Sequence, residues 1–102
     1  MIRFIEVVND TNFNPRMERV AIPEYSLGEV WINEKYVVNI REATGYTQML
    51  REGRLPQELD AMHRFTAITV NEGNRSHTHI VVGEMANVAN RLSKHKGQLL
   101  KG

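Results

Sequence analysis

Two histidines one residue apart are the first feature of this sequence that could carry chemistry. His77 and His79 lie in a run rich in β-branched residues, so their side chains are expected to share one face of a strand. With Glu84 they spell H-x-H-x4-E, and imidazole and carboxylate groups suit a divalent metal. Two hypotheses follow: a metal site completed by His63, His95 or another subunit, or a strand pair that forms ordinary hydrogen bonds or faces solvent.

The same spacing resembles the first metal-binding motif of cupins. The glycine that this motif needs upstream is displaced, and too few residues follow Glu84 to hold the second motif and its strands. A cupin centre is therefore not expected.

Other catalytic signatures are missing from the sequence. The chain has no cysteine, its serines lack a G-x-S-x-G elbow, and there is no glycine-rich phosphate loop. The two aspartates Asp10 and Asp60 are isolated from each other. We therefore expect a protein that is not an enzyme and needs no cofactor.

Three arginines favour the binding of an anion. Arg41 ends an expected strand, Arg75 follows an expected turn, and Arg91 lies on an expected helix. Guanidinium groups form bidentate contacts with phosphates. Each of them is equally compatible with an ordinary surface arginine, so the interpretation depends on their meeting at one site.

Planar and amide side chains could complete such a site. Trp31, Tyr36 and Phe65 offer surfaces on which a base could stack, an interaction worth roughly 1–3 kcal/mol per base. Asn71 and Asn74 could hydrogen-bond a base edge or a ribose from a turn. The alternative for the aromatic residues is a place in the core, and for Asn74 a role as a turn former.

The element that would position these residues is a hairpin over residues 65–83. Phe65, Ala67 and Thr69 alternate with Thr66, Ile68 and Val70, which is typical of a strand with two distinct faces. Residues 71–74 supply the turn, with Gly73 free to take a positive φ. Further strands are predicted at residues 2–8 and 19–22 and, as a second hairpin with a three-residue connection, at 27–32 and 36–42.

Residues 44–64 lack alternation and predict a short helical insert. Thr44 or Thr47 could cap a helix that Gly53 ends. A second short helix is predicted from Pro56 onward, with Leu59 and Met62 on one side.

The C-terminal region predicts an amphipathic helix over residues 84–96. Gly97 is expected to end it, and Leu99 and Leu100 to dock on the domain or on a second subunit. The apolar stripe of this helix comprises Met85, Val88, Ala89 and Leu92.

The length predicts that residues 1–102 form a single domain, and the expected strands and helices predict an α+β fold. The predicted fold is a small antiparallel sheet of five or six strands with a short helical insert and the C-terminal helix. The net charge of +1 gives no argument for long nucleic acid, although cations gather near the C-terminus. They could serve an anionic partner or simply complement the helix dipole. The N-terminal apolar run is too short for a signal or a membrane span, so a cytoplasmic protein is expected.

Half of the chain resembles the small FlbD/SwrD-type flagellar proteins. The resemblance is a pattern of β-branched residues in VWINEKYVVNIRE, TAITVNEG and IVVGEMANVANRL. It does not include the insert at residues 44–64. It implies a small protein–protein interaction module without a small-molecule ligand.

The chain also resembles, in size and element order, the phage anti-Thoeris proteins that sequester cyclic ADP-ribose-type signals. This resemblance accounts for the insert and implies a homo-oligomer that acts in the host cytoplasm. By order and spacing it implies that Phe65 stacks on a base and that Asn74 hydrogen-bonds base or ribose. It also implies that Arg41, Arg75 and Arg91 neutralise the phosphates of the ligand.

The leading hypothesis is therefore a non-catalytic, homo-oligomeric protein that sequesters a cyclic nucleotide immune signal and so counteracts host defence. The alternative is the interaction module. A metal-dependent enzyme that uses His77 and His79 is the third hypothesis.

Overall fold

A computed structural model describes residues 1–9, 12–13, 21–22 and 24–100. The helices of this part are α1 (Thr44–Arg51) and α2 (Met85–Leu100), and a 3-10 turn covers Glu34–Tyr36. The strands are β1 (Ile2–Asn9), β2 (Asn12–Phe13), β3 (Ala21–Ile22), β4 (Tyr25–Ile32), β5 (Val37–Glu42), β6 (Phe65–Glu72) and β7 (Arg75–Val82).

Five strands form one antiparallel sheet in the order β4-β1-β7-β6-β5, and β2 pairs with β3 separately. The prediction of a small α+β fold is confirmed. Of the strand expected at residues 19–22, Ala21–Ile22 is seen in β3, and residues 19–20 lie outside the described part. No helix within the described ranges has the length and the apolar character needed to cross a bilayer.

The predicted hairpin at residues 65–83 is confirmed as β6 and β7. Register pairs run from Phe65↔Val82 to Glu72↔Arg75, so the turn is tighter than expected and consists of Gly73 and Asn74. Gly73 has φ +65°, a conformation that glycine adopts without a steric penalty. Because the side-chain period is two, the predicted division of β6 into two faces holds along the strand.

The second predicted hairpin is wrong. β4 and β5 both exist, but β4 pairs with β1 from Ile2↔Ile32 to Asn9↔Tyr25, whereas β5 pairs with β6. The intervening residues form a 3-10 turn in which the Asn33 side chain accepts a hydrogen bond from the Lys35 backbone N–H. Pairing with β1 places Val30 and Ile32 beside Phe4 and Ile2, and these apolar partners come from a distant part of the chain.

The sheet must curl because β4 and β5 are its two edges. In a flat sheet of five strands the edges would lie about 19 Å apart. The connection at residues 33–36 contains a 3-10 turn and is too short to span that gap easily, since an extended chain covers at most about 3.6 Å per residue. Residues of both edges accordingly join one core cluster, Ile32 from β4 and Val37 from β5. We call this inner side the concave face and the other side the convex face.

Helix α2 packs on the concave face. Its buried residues Val88 and Leu92 join Phe4, Ile68 and Val81 in the first core cluster. Met85, which was expected in the same stripe, is 41% exposed.

The predicted end of the C-terminal helix at Gly97 is wrong, because α2 continues to Leu100. A glycine inside a helix costs only about 1 kcal/mol relative to alanine, which the flanking residues of the helix can offset. The docking predicted for Leu99 and Leu100 concerns side chains outside the described part of the chain.

The insert packs on the convex face. Phe65, Val7 and Leu55 are buried there, with Tyr46 and Met49 packed against them. The predicted threonine cap is wrong, since α1 begins after Ala43, which makes no side-chain capping hydrogen bond. Gly53 with φ +72° follows the helix, as predicted.

The second helix predicted from Pro56 is also wrong. Residues 52–64 form successive turns, in which the Leu59 N–H donates to the Pro56 carbonyl and the His63 N–H to the Asp60 carbonyl. The Asp60 carboxylate accepts the Met62 N–H and so competes with helical hydrogen bonding. Leu59 packs on the second core, but Met62 is 82% exposed.

Two glycines provide a matched test of this packing. Gly83 has φ +151°, and a Cβ there would lie 3.1 Å from Cγ2 of Val88. We expect Gly83→Ala to lower the free energy of unfolding by about 1–3 kcal/mol. Gly45, in α1, has no atom within 4 Å of such a Cβ, so Gly45→Ala should raise stability by about 0.5–1 kcal/mol. Urea denaturation measures both, and equal stability of Gly83→Ala and the wild type would contradict the described junction of β7 and α2.

The Tyr46 ring predicts a pH dependence in alkali. Burial against Phe65, and secondarily the nearby Tyr25, raise the pKa of Tyr46 above its ordinary value of 10.0. Below pH 10 the phenol is neutral in both states. As the pH rises past 10 the unfolded chain releases its proton first, so the folded state loses stability. The midpoint of thermal unfolding should fall less steeply above pH 10 in Tyr46→Phe than in the wild type, and equal slopes in the two proteins would contradict this prediction.

Candidate ligand-binding cleft

Phe65, the residue expected to stack on a base, lies in the second core with 0% of its surface exposed. Its ring centroid is 6.1 Å from that of Tyr46. This burial contradicts the predicted stacking role of Phe65, because a covered ring offers no surface to a ligand. Of the other two aromatic candidates, Trp31 is 55% exposed and Tyr36 is also exposed.

Arg91 holds α2 against β1. Its guanidinium lies 4.4 Å above the centroid of the Phe4 ring, and its Nη2 donates to the Arg3 carbonyl oxygen at 2.5 Å. The register Glu6↔Val81 places Arg3 just beyond the end of β7. Arg91 therefore takes the place of a missing strand partner, which gives it a structural role.

The remaining predicted ligand residues are not brought together. Arg41 lies opposite Ala67 on the convex face, whereas Asn74 and Arg75 are at the exposed tip of the hairpin. About 20 Å of strand separates Ala67 from Gly73. Arg75 also belongs to the concave side by its pairing with Glu72. One copy of the chain does not gather these side chains into one site.

The histidines share the concave face, as expected. His79 Nδ1 lies 2.6 Å from Glu6 Oε2, and His77 is exposed opposite Val70. In the described ranges no three His, Asp or Glu side chains are grouped as metal ligands would be. The geometry is that of a hydrogen-bonded histidine beside a solvent-facing one.

A polar cleft of about 340 Å³ lies where β5, α1 and the start of β6 meet. None of its residues was predicted from the sequence to bind a ligand, although the spacing of Thr44, Gln48 and Arg51 along α1 could have indicated one polar helix face. Its lining residues are Glu42, Thr44, Thr47, Gln48, Arg51 and Arg64.

The core fixes the orientation of this cleft. The Ala43 N–H donates to the Phe65 carbonyl at 2.9 Å, which joins the start of α1 to the start of β6. Tyr46, Met49 and Leu50 turn toward Phe65 in the second core. The polar face of α1 is therefore directed away from the core and toward the cleft.

The charged groups of the cleft are not neutralised by one another. Among the described residues, neither Arg51 nor Arg64 forms an ion pair with a carboxylate, and Glu42 forms none with a cation. Arg64 Nη1 donates only to the His63 carbonyl, at 3.3 Å. Two guanidinium groups and one carboxylate thus line one cavity and keep hydrogen-bonding capacity for a ligand.

The neighbouring carboxylate of Glu52 pairs with neither Arg51 nor Arg64. It lies 3.4 Å from Arg54 Nη1, and its other oxygen accepts a hydrogen bond from Gln48 at 3.2 Å. Glu52 thereby positions the amide of Gln48 at the cleft wall.

Trp31 lies at a separate exposed position on β4. Its indole N–H donates to Glu29 Oε1 at 2.9 Å, and the other oxygen of Glu29 pairs with Arg3. The hydrogen bonds from Arg3 and then Trp31 hold the pKa of Glu29 below its ordinary value. The exposed indole is thus held in one orientation by an ionised carboxylate.

Substitution of Arg91 tests its structural assignment. We expect Arg91→Gln to lower the free energy of unfolding by about 1–3 kcal/mol, because a charged hydrogen bond and a cation–π contact are lost. Lys94→Gln, one turn along α2 and exposed, should be neutral. Urea denaturation measures both changes. If Arg91→Gln leaves stability unchanged but abolishes ligand binding, the structural assignment is contradicted and Arg91 is a ligand-binding residue, as the sequence predicted.

Comparison of the chain with models of known protein families, with curated proteins and with solved structures gave no match.

Proposed function

We propose that this protein is a non-catalytic binding protein that sequesters a phosphate-bearing cyclic nucleotide, with the cleft between Arg51 and Arg64 as its binding site. The observation that carries the proposal is the pair of guanidinium groups that line one cavity without a carboxylate partner in the described part of the chain.

The chemistry of the cleft fits a phosphate. Arg51 ends α1 and Arg64 precedes β6, so two cations approach the cavity from different elements. Guanidinium groups bind phosphate oxygens through paired, charge-assisted hydrogen bonds. Thr44, Thr47 and Gln48 add hydroxyl and amide donors to the same wall. These are the donors that an ester of phosphate requires.

The dimensions of the cleft fit a small ligand. Its volume of about 340 Å³ lies at the lower end of the range of roughly 300–1,000 Å³ that is usual for small-molecule sites. One nucleotide unit would occupy a space of this size, with part of its surface left open. Closure by a second copy would remove that surface from water and slow release.

The predicted ligand residues other than Phe65 and Arg91 enter the proposal through assembly. Asn74 and Arg75 lie at the hairpin tip, about 25 Å along β6 from the strand end near the cleft. They would therefore meet a ligand held in the cleft only across a subunit boundary, as in the homo-oligomer that the resemblance implies. Arg41 is adjacent to the cleft residue Glu42 along β5 but does not itself line the cleft.

The biological role rests on the resemblance to the anti-Thoeris proteins. A protein of that kind would bind a cyclic ADP-ribose-type immune signal in the host cytoplasm and so counteract defence. Sequestration requires slow release and no turnover.

A thermal-shift screen against cyclic nucleotides and ADP-ribose isomers tests the proposal. Ligand that binds the folded state raises the midpoint of unfolding. The double variant Arg51→Gln/Arg64→Gln should weaken binding at least about tenfold, since each charged hydrogen bond contributes about 1.5–3 kcal/mol. Arg54→Gln is the matched control, because Arg54 pairs with Glu52 and does not line the cleft.

The fate of the ligand separates sequestration from catalysis. After incubation and heat denaturation, chromatography should recover the ligand chemically intact. Recovery of a cleaved product would contradict the non-catalytic proposal and favour an enzyme.

A protein–protein interaction module is the second candidate, and Trp31 favours it. Exposed tryptophan and methionine side chains are enriched at protein-binding surfaces. Met1 precedes β1, and Trp31 nearly ends β4. Both are exposed, and the pairing of β1 with β4 places them at the same end of the sheet. Absence of a thermal shift with every nucleotide, together with a stable protein complex that Trp31→Ala abolishes, would support this candidate over sequestration.

A further inference from the structure

We propose that Glu42 recognises the ribose of the ligand, so that the cleft selects a ribonucleotide with a free vicinal diol over a ligand that offers only phosphate. This inference rests on the proposed function of the cleft.

The cleft carries charges of both signs. Glu42 ends β5 and lines the same cavity as Arg51 and Arg64. Within the part of the chain that the structure describes, its carboxylate accepts no hydrogen bond and forms no ion pair. A site built for inorganic phosphate alone would gain nothing from this carboxylate, which would repel the ligand at short range.

A ligand that uses all three charges must carry an anion and hydrogen-bond donors at different positions. A cationic donor is disfavoured, because the two arginines would repel it. Neutral hydroxyl groups meet the requirement, since a carboxylate has two acceptor oxygens and two vicinal hydroxyls offer two donors. Hydrogen bonds from O–H to a carboxylate are among the short, strong ones.

The positions of these residues suit a sugar phosphate. Glu42 precedes α1 and Arg51 ends it, and eight helical residues rise about 12 Å. The carboxylate and this guanidinium therefore approach the cavity from opposite ends of the helix. In a ribonucleotide the diol and the 5′-phosphate likewise project from different sides of the ribose. A carboxylate that accepts ribose hydroxyls beside a phosphate site also recurs in dinucleotide-binding folds of quite different construction.

The cleft should therefore discriminate by the hydroxyls. Adenosine 5′-monophosphate is expected to bind the wild-type protein at least about tenfold more tightly than its 2′,3′-dideoxy analogue. When a ligand without the hydroxyls binds, the Glu42 carboxylate loses its bound water and gains no hydrogen-bond partner. This unpaired, desolvated group is the strongest source of selectivity that a polar site has.

Isothermal titration calorimetry with three probes tests the inference: adenosine 5′-monophosphate, its 2′,3′-dideoxy analogue and pyrophosphate. In Glu42→Gln the preference for the diol should fall below about threefold, because a neutral amide offers only one acceptor. Pyrophosphate should bind this variant at least as tightly as the wild type, since a repulsive charge is removed. Glu72→Gln, at the exposed hairpin tip, should keep the wild-type values for all three probes.

The outcomes separate the two proposals. If the wild type binds pyrophosphate and both nucleotides equally well, or if Glu42→Gln keeps the full preference for the diol, the role of Glu42 is overturned and the phosphate site stands. If the wild type binds none of the three probes, the role of Glu42 is overturned, and the proposed function of the cleft fails as well if the thermal-shift screen against cyclic nucleotides and ADP-ribose isomers also gives no shift. The unfolding midpoint of each variant is measured as a control, and a midpoint equal to that of the wild type shows that the substitution has left the fold intact.

Discussion

The structure depends on the burial of β6 on both of its faces. Phe65 and Ala67 face the insert, whereas Thr66 and Ile68 face α2, and all four are buried. The polar member, Thr66, donates its hydroxyl hydrogen bond to the Gly83 carbonyl at 2.9 Å, so its burial leaves no unpaired group. One strand is therefore the common wall of two hydrophobic clusters. Any change that tilts it disturbs α2 and the insert together.

The position of the candidate cleft follows from the burial of β6. Helix α1 turns its apolar side chains Tyr46, Met49 and Leu50 toward Phe65, where they pack against the second core cluster. Its threonines, Gln48 and Arg51 are thereby directed outward beside Arg64, which immediately precedes β6. The ligand chemistry proposed for this cleft thus depends on core residues that never touch the ligand. This arrangement also explains why Phe65 has a structural role although its type suits a base.

Arg91 shows why side-chain chemistry alone did not predict the residues of the candidate cleft. Its guanidinium could have served a phosphate, and in the folded chain the same donors serve a backbone carbonyl and an aromatic ring. Arg51 and Arg64 have the same chemistry, and the described structure gives them no carboxylate partner. The difference arises from which groups come near each arginine after folding. The local sequence around these three arginines does not indicate which groups will lie near each of them in the folded chain.

By itself, the sequence determined the features that depend on neighbours along the chain. The alternation of β6, the turn at Gly73, the helix before Gly53 and the shared face of His77 and His79 follow from strand and turn geometry over a few residues. Only the tertiary structure decided that β4 pairs with β1 and not with β5, that Phe65 is buried while Trp31 is exposed, and that Glu42 meets Arg51 and Arg64 in one cleft. The physical reason is that pairing and burial are selected by apolar contacts between distant segments, and local periodicity carries no information about which distant segment will supply them.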